Sequence, residues 1–277
     1  MNPRHRSTAG LTLGFLTLGA QAAPLELIDA AAQAGYGAAG PRLSGRYPGD
    51  TWPAVDGVPA AFDAIRETAL ARGVRISSVS GYYFSPQVQP SHLRANVEAA
   101  RAVGAPMILQ GCFDDDHARV AALLRDYAAA AADAGIRIAL EFMPMSGLKD
   151  LRQTLAVIDA CGARNVGILV DTLHLARSGA TAADVAALDA SRIYLTQLCD
   201  APASLSATST LFDEAMSGRM YLGDGQLDLA GVVRALAPGA ELELETPVVA
   251  DAHLPPAARA RKAAAAAQRF FDHHFTA

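Results

Sequence analysis

The chain has 277 residues and a formal net charge of −5, with 28 acidic residues against 23 basic ones; 51% of it is hydrophobic and 18% charged. This length suits one α/β barrel or two small domains, and the composition excludes a disordered chain. The acidic balance and the lack of any Lys/Arg run exclude a nucleic-acid binder, and no run of about 18 apolar residues marks a membrane span. Cys112, Cys161 and Cys199 are odd in number and widely spaced, which argues against a disulfide framework or CxxC site and favours the reducing cytoplasm.

The first element is ambiguous. The basic cluster Arg4, His5 and Arg6 precedes "GLTLGFLTLGAQAAP" at Gly10, which imitates the charged start, apolar middle and cleavage site of an export signal. The following elements favour a strand over 11–18, because short apolar runs alternate with Ala/Leu-rich amphipathic stretches about eight times. Further strands are predicted at 36–43, 74–84, 105–111, 136–142, 166–171, 192–198 and 240–246. Helices are predicted near 24–34, 58–72, 90–103, 115–134, 149–160, 181–189, 227–236 and 255–272. Several helices end in Ala-Gly or Arg-Gly caps followed at once by a strand. Eight such units without a composition break predict a single (β/α)8 TIM barrel over 1–277, which needs its first strand to close. A doubly wound sheet would call for a GxGxxG turn that is missing.

Barrel enzymes carry chemistry at the C-terminal ends of their strands. Here four consecutive strands end in Glu141 ("ALEFMP"), Asp171 ("ILVDTLH"), Gln197 ("YLTQLCD") and Glu245 ("ELETP"). Three carboxylates converging on an apolar rim repel one another unless a cation neutralises them. Oxygen donors with one neutral amide suit Mg²⁺ or Mn²⁺, with Co²⁺ or Zn²⁺ as alternatives.

The segments "LEFMP", "NVGILVDTLHLARSG", "YLTQLCDAP", "RMYLGDGQLDL" and "LELETP", in this order, resemble the sugar phosphate isomerase/epimerase family, whose fold is the xylose-isomerase-like TIM barrel. The resemblance covers essentially the whole chain. It implies metal ligands at Glu141, Asp171, Gln197 and Glu245, with Glu243 as the fallback ligand on the last strand. It gives His174 a substrate-contacting or proton-transfer role and directs Arg219 at substrate oxygens. Gln197 departs from the His common in the epimerases and resembles the dehydratase branch. Arg42 and Arg46 are candidates for a carboxylate or phosphate, and Tyr82, Tyr83, Phe84 and Trp52 for the pocket wall. Asp114, Asp115 and Asp116 read as a helix cap, His273 and His274 as helix-end residues, and Cys199 as a buried spectator.

The expected reaction is proton abstraction next to a carbonyl, with Glu141, Glu245 and His174 as the acid–base groups and an enediolate as the intermediate. Reprotonation isomerises or epimerises a keto-sugar or polyol. Loss of a β-hydroxyl from the same enolate instead dehydrates a dehydroshikimate- or inosose-like cyclic substrate. Two further readings are a DNA-processing use of the barrel, disfavoured by the acidic balance and by how few histidines end strands, and a metal-free sugar sensor. A homodimer suits a barrel of this kind.

Overall fold

Among the described residues nine short parallel strands form one sheet, in the order Arg75–Ile76, Ala38–Gly40, Thr12–Gly14, Leu242–Leu244, Ile193–Leu198, Val166–Asp171, Arg137–Glu141, Met107–Gln110 and Val79–Ser80. The computed structural model describes residues 4–50, 52, 55 and 57–276. Of the expected span 1–277, residues 1–3, 51, 53, 54, 56 and 277 lie outside the described residues. The strands are β1 (Thr12–Gly14), β2 (Ala38–Gly40), β3 (Arg75–Ile76), β4 (Val79–Ser80), β5 (Met107–Gln110), β6 (Arg137–Glu141), β7 (Val166–Asp171), β8 (Ile193–Leu198) and β9 (Leu242–Leu244). The helices are α1 (Pro24–Ala34), α2 (Pro59–Arg72), α3 (Pro90–Val103), α4 (His117–Asp133), α5 (Leu151–Cys161), α6 (Thr172–Arg177), α7 (Ala182–Ala186), α8 (Leu211–Ser217), α9 (Leu229–Ala235) and α10 (Pro256–Phe275).

The ninth strand comes from the third predicted one, which divides at Ser77 and Ser78 into β3 and β4. β3 pairs with β2 and β4 with β5, so both ends of the sheet belong to one stretch of chain. Backbone bonds from Ser77 N to the Ala39 carbonyl and from Ser80 N to the Pro41 carbonyl bring the two sides together. The result is a nearly closed (β/α)8-type barrel.

The expected strand over 11–18 is shorter than its apolar run. Thr12–Gly14 pairs with β2 on one side and β9 on the other, and Phe15–Leu18 then winds into a 3-10 turn. The turn is anchored by Thr17, whose hydroxyl donates to the Leu244 carbonyl and accepts from Thr246 N, both at 2.9 Å. β2 is likewise shorter than 36–43. Two short helices, α6 and α8, occupy stretches where no helix is predicted, and α7 covers only part of 181–189. Elsewhere the rhythm holds: Gly35 and Gly73 close α1 and α2 at φ of 83° and 66°, where a side chain is strained.

Alternation along the strands divides the interior. Leu13, Ile138, Leu140, Ile168, Val170, Leu198, Leu242 and Leu244 join the large cluster formed with the helices. Met107, Leu109, Ala139, Leu169 and Leu195 form a separate inner cluster inside the barrel. In β6, β7 and β8 the next inward residues are Glu141, Asp171 and Gln197, so the pleat delivers each to the rim. Among the described residues no helix is long and apolar enough to cross a membrane.

Leu13 is fully buried, with 0% of its surface exposed. Leu13→Ala is therefore expected to cost roughly 2–5 kcal/mol of stability, read as a lower urea midpoint.

Candidate active site

Glu141, Asp171, His174, Gln197, Arg219 and Glu245 are all buried and meet at the rim formed by β6–β9. Asp171 ends β7 and caps α6: its Oδ1 accepts from the backbone N of Leu173 at 2.8 Å and of His174 at 3.0 Å. This cap holds the following turn and sets His174 beside Glu141, with Nε2 3.8 Å from Glu141 Oε1. Donor atoms of Glu141, Asp171 and His174 lie within 4.8 Å of one another, a cluster that could hold a metal ion.

Arg219 is more central than the sequence suggests. Its Nη1 donates to Asp171 Oδ2 at 2.5 Å and its Nη2 lies 3.1 Å from Glu245 Oε2. The guanidinium thus bridges two of the expected metal ligands. Backbone bridges on either side, Gly218 with Val248 and Asp200 with Met220, fix the loop that carries it. Asp200 secures the next turn by accepting from the backbone N of Ala201, Gly223, Gly225 and Leu227. In the segment "YLTQLCDAP" nothing local marks this role, because the turn that Asp200 holds lies 23 to 27 positions further along the chain. Four caged N–H groups depend on it, so Asp200→Ala is expected to lower thermal stability by more than about 2 kcal/mol and to loosen Arg219.

Gln197 sits between its register neighbours Asp171 and Glu243. Its Nε2 donates to Glu243 Oε1 at 2.7 Å and, more weakly, to Glu245 Oε1 at 3.3 Å. Its buried Oε1 has no hydrogen-bond partner among the described residues. A buried carbonyl oxygen without a donor is costly, and a cation is one group that would satisfy it.

The electrostatics follow from burial. Desolvation raises the Glu141 carboxyl well above the usual range, and Glu245 and Asp171 push it further. Burial also raises Glu245, although Arg219 opposes the shift, and lifts Glu243 to about 8. Burial alone would raise Asp171 too, but Arg219 and His174 hold it below its ordinary value. His174 is pushed down to about 4 by burial and is neutral at pH 7.

A small cavity of about 50 Å³ opens above Glu141, His174, Arg219 and Glu245. Its walls are largely apolar, including Phe15, Met143, Met145 and Phe212. Arg46, paired with Asp50 at 2.9 Å, lies over the Trp52 ring at 4.3 Å. Tyr83 and Arg46 line this cavity, whereas the expected substrate residues Tyr82 and Arg42 do not. Tyr82 packs against His92 on α3. Arg42 is sealed against the rings of Phe15, Trp52 and Tyr83 and donates to the carbonyls of Ser44 and Gly81. Adjacent residues point to opposite sides of the chain, and only the register of the short strands decides which one faces inward.

The remaining candidates are structural. Asp116 caps α4, Asp114 pairs with Arg119, and burial raises the Cys199 thiol to about 12, which suits a spectator. His273 and His274 close α10.

The family model for the xylose isomerase-like TIM barrel matches residues 28–271. The chain belongs to this family. No curated protein matches it in sequence. Among solved structures, the IolI protein with a bound zinc atom is similar at TM-score 0.78 and 15% identity, covering 97% of this chain and 100% of its own. A xylose isomerase domain protein from Alicyclobacillus acidocaldarius gives TM-score 0.74 and 19% identity over 95% of this chain and 98% of its own. D-allulose 3-epimerase from Methylomonas sp., in complex with D-allulose, gives 0.70 and 16% over 99% and 100%.

The raised carboxyls predict a pH dependence of stability. A carboxyl whose folded value exceeds its unfolded one stabilises the fold while protonated, and for Glu243 that contribution is lost as pH rises towards about 8. His174 acts in the opposite sense but only below its ordinary 6.5, as it charges towards about 4. Metal-free protein is therefore expected to lose about 2 kcal/mol between roughly pH 6.5 and 8. Urea unfolding in EDTA reads this, and Glu243→Gln should flatten the slope.

Proposed function

We propose that the chain is a single-domain, divalent-metal-dependent isomerase or epimerase of a keto-sugar or related polyol. The observation that carries this reading is the buried convergence of Glu141, Asp171, Glu245 and His174, where, among the described residues, Arg219 is the one Arg or Lys in contact with the carboxylates. The orphaned Gln197 oxygen and the oxygen-rich donor set fit a hard ion, Mn²⁺ or Mg²⁺ before Zn²⁺. Glu141, Asp171, Gln197 and Glu245 would hold it, and when bound it supplies Lewis-acid stabilisation of charge on substrate oxygens. The zinc in the IolI structure and the sugar in the D-allulose 3-epimerase complex support the same reading.

The chain's own groups divide the remaining work. Glu141 lines the cavity and has no strong hydrogen-bonding partner, so its carboxylate is the group free to take the proton next to the carbonyl. Neutral His174 lies beside it and can relay or return a proton. Glu245 faces the same cavity from β9 but is held by Arg219, which suits it to the opposite face of the substrate. The Arg219 guanidinium can also donate to an oxygen that gains charge. A water molecule occupies about 30 Å³ of liquid, so a cavity of about 50 Å³ is smaller than a sugar and its walls must part to admit one.

A second reading, a dehydratase of a cyclic keto-acid or inosose-like substrate, is favoured by Gln197 and by the apolar walls, which offer few partners to an open-chain polyol. Incubating metal-loaded protein with keto-sugars, inososes and dehydroshikimate in D₂O separates the two by NMR. Deuterium next to the carbonyl without loss of water marks isomerisation, and an alkene marks dehydration. Glu141→Gln is expected to lower turnover by roughly 10²–10⁴. Full turnover in that variant would remove Glu141 from the chemistry.

A further inference from the structure

On β6, β7 and β8 the inward residue one pleat below the rim is apolar: Ala139, Leu169 and Leu195, which pack together. On β9 the corresponding residue is Glu243, with only 1% of its surface exposed. The barrel makes room for this carboxylate on the two neighbouring strands, β1 and β2. Gly14 on β1 pairs with Gly40 on β2. A Cβ on Gly14 would lie 2.7 Å from Glu243 Oε1, and one on Gly40 would lie 2.5 Å from Oε2. Ser78, in the break between β3 and β4, donates to Oε2 at 3.2 Å. The space and partners around Glu243 are therefore built for a carboxylate and differ from the apolar layer beside it.

We propose that Glu243 is a positioning residue that fixes the side-chain amide of Gln197. An amide has a donor end and an acceptor end, and its orientation is set by the network around it. Glu243 Oε1 takes the donor end at 2.7 Å, closer than Glu245 at 3.3 Å. The acceptor end, Gln197 Oε1, is thereby turned away from Glu243 and has no hydrogen-bond partner among the described residues. Against the ionised form of Glu243 the reverse orientation would set two oxygens against each other with no proton between them. Glu243 thus presents a neutral amide as an oxygen ligand at the rim without occupying a ligand position itself. This inference rests on the metal-binding reading above.

The test uses the full chain, stripped with EDTA and titrated with Mn²⁺ by calorimetry. Glu243→Leu removes the acceptor and is expected to weaken Mn²⁺ binding roughly 10–100-fold, the usual effect of losing a group that orients a ligand. Glu243→Gln, whose side-chain oxygen still accepts from Gln197, should stay near wild type. A second readout needs no metal: the ¹⁵N side-chain signal of Gln197, assigned by its loss in Gln197→Leu, should shift and exchange faster with water in Glu243→Leu. If Glu243→Leu does not fold, Gly40→Ala, whose added methyl presses on the carboxylate, is expected to act in the same direction on both readouts. Wild-type Mn²⁺ affinity and an unchanged Gln197 signal in the folded variant would overturn the positioning role while leaving the metal reading intact. Failure of the wild type to bind Mn²⁺ would overturn both.

Discussion

Burying several carboxylates in one place is the constraint on which the rest of this structure depends. Glu141, Asp171, Glu243 and Glu245 are buried in a barrel whose adjacent inner cluster, Met107, Leu109, Ala139, Leu169 and Leu195, is apolar. An ionised carboxyl in such surroundings is costly unless it is paired and hydrogen-bonded. Arg219 meets part of that cost by bridging Asp171 and Glu245, and the α6 backbone meets another part at Asp171. Burial raises the proton affinities of Glu141 and Glu243, and among the described residues neither is paired with an Arg or Lys that would offset it. The imbalance leaves the rim with more buried carboxylates than the one guanidinium among the described residues offsets.

The loops are organised around the same requirement. Arg219 acts as a counter-ion only if its backbone is fixed, and the bridges at Gly218 and Met220, with the four bonds accepted by Asp200, fix it. α8, which contributes Phe212, Ala215 and Met216 to the cavity lining, is fastened through a second buried ion pair, Arg177 on α6 with Glu214, at 2.7 and 2.8 Å. α6 therefore links two tasks, since Asp171 caps its start and Arg177 near its end holds α8 in place. Phe212 on that helix lines the same cavity as Glu141, His174, Arg219 and Glu245.

Much of this was legible in the sequence. The alternation of apolar runs with capped helices gives the barrel, and the polar residues ending β6, β7, β8 and β9 give Glu141, Asp171, Gln197 and Glu245, because period-two alternation carries strand-end residues to the rim. The export-like pattern at Gly10 coincides with β1, whose buried Gly14 lies against Glu243. Other features were not legible. Tyr82 and Tyr83, or Arg42 and Arg46, are too close together for periodicity to choose between them. β3 and β4 are two residues long, too short for any periodic signal.

What the sequence by itself determined is the set of groups and the element that carries each one, since local period, caps and strand ends depend on residues near one another in the chain. What only the tertiary structure decided is their pairing. Arg219 and Asp171 are 48 positions apart, Gln197 and Glu243 46, and Ser78 and Glu243 165. Such contacts are set by barrel closure and strand register, which bring distant residues together and remove the water that would otherwise separate their charges.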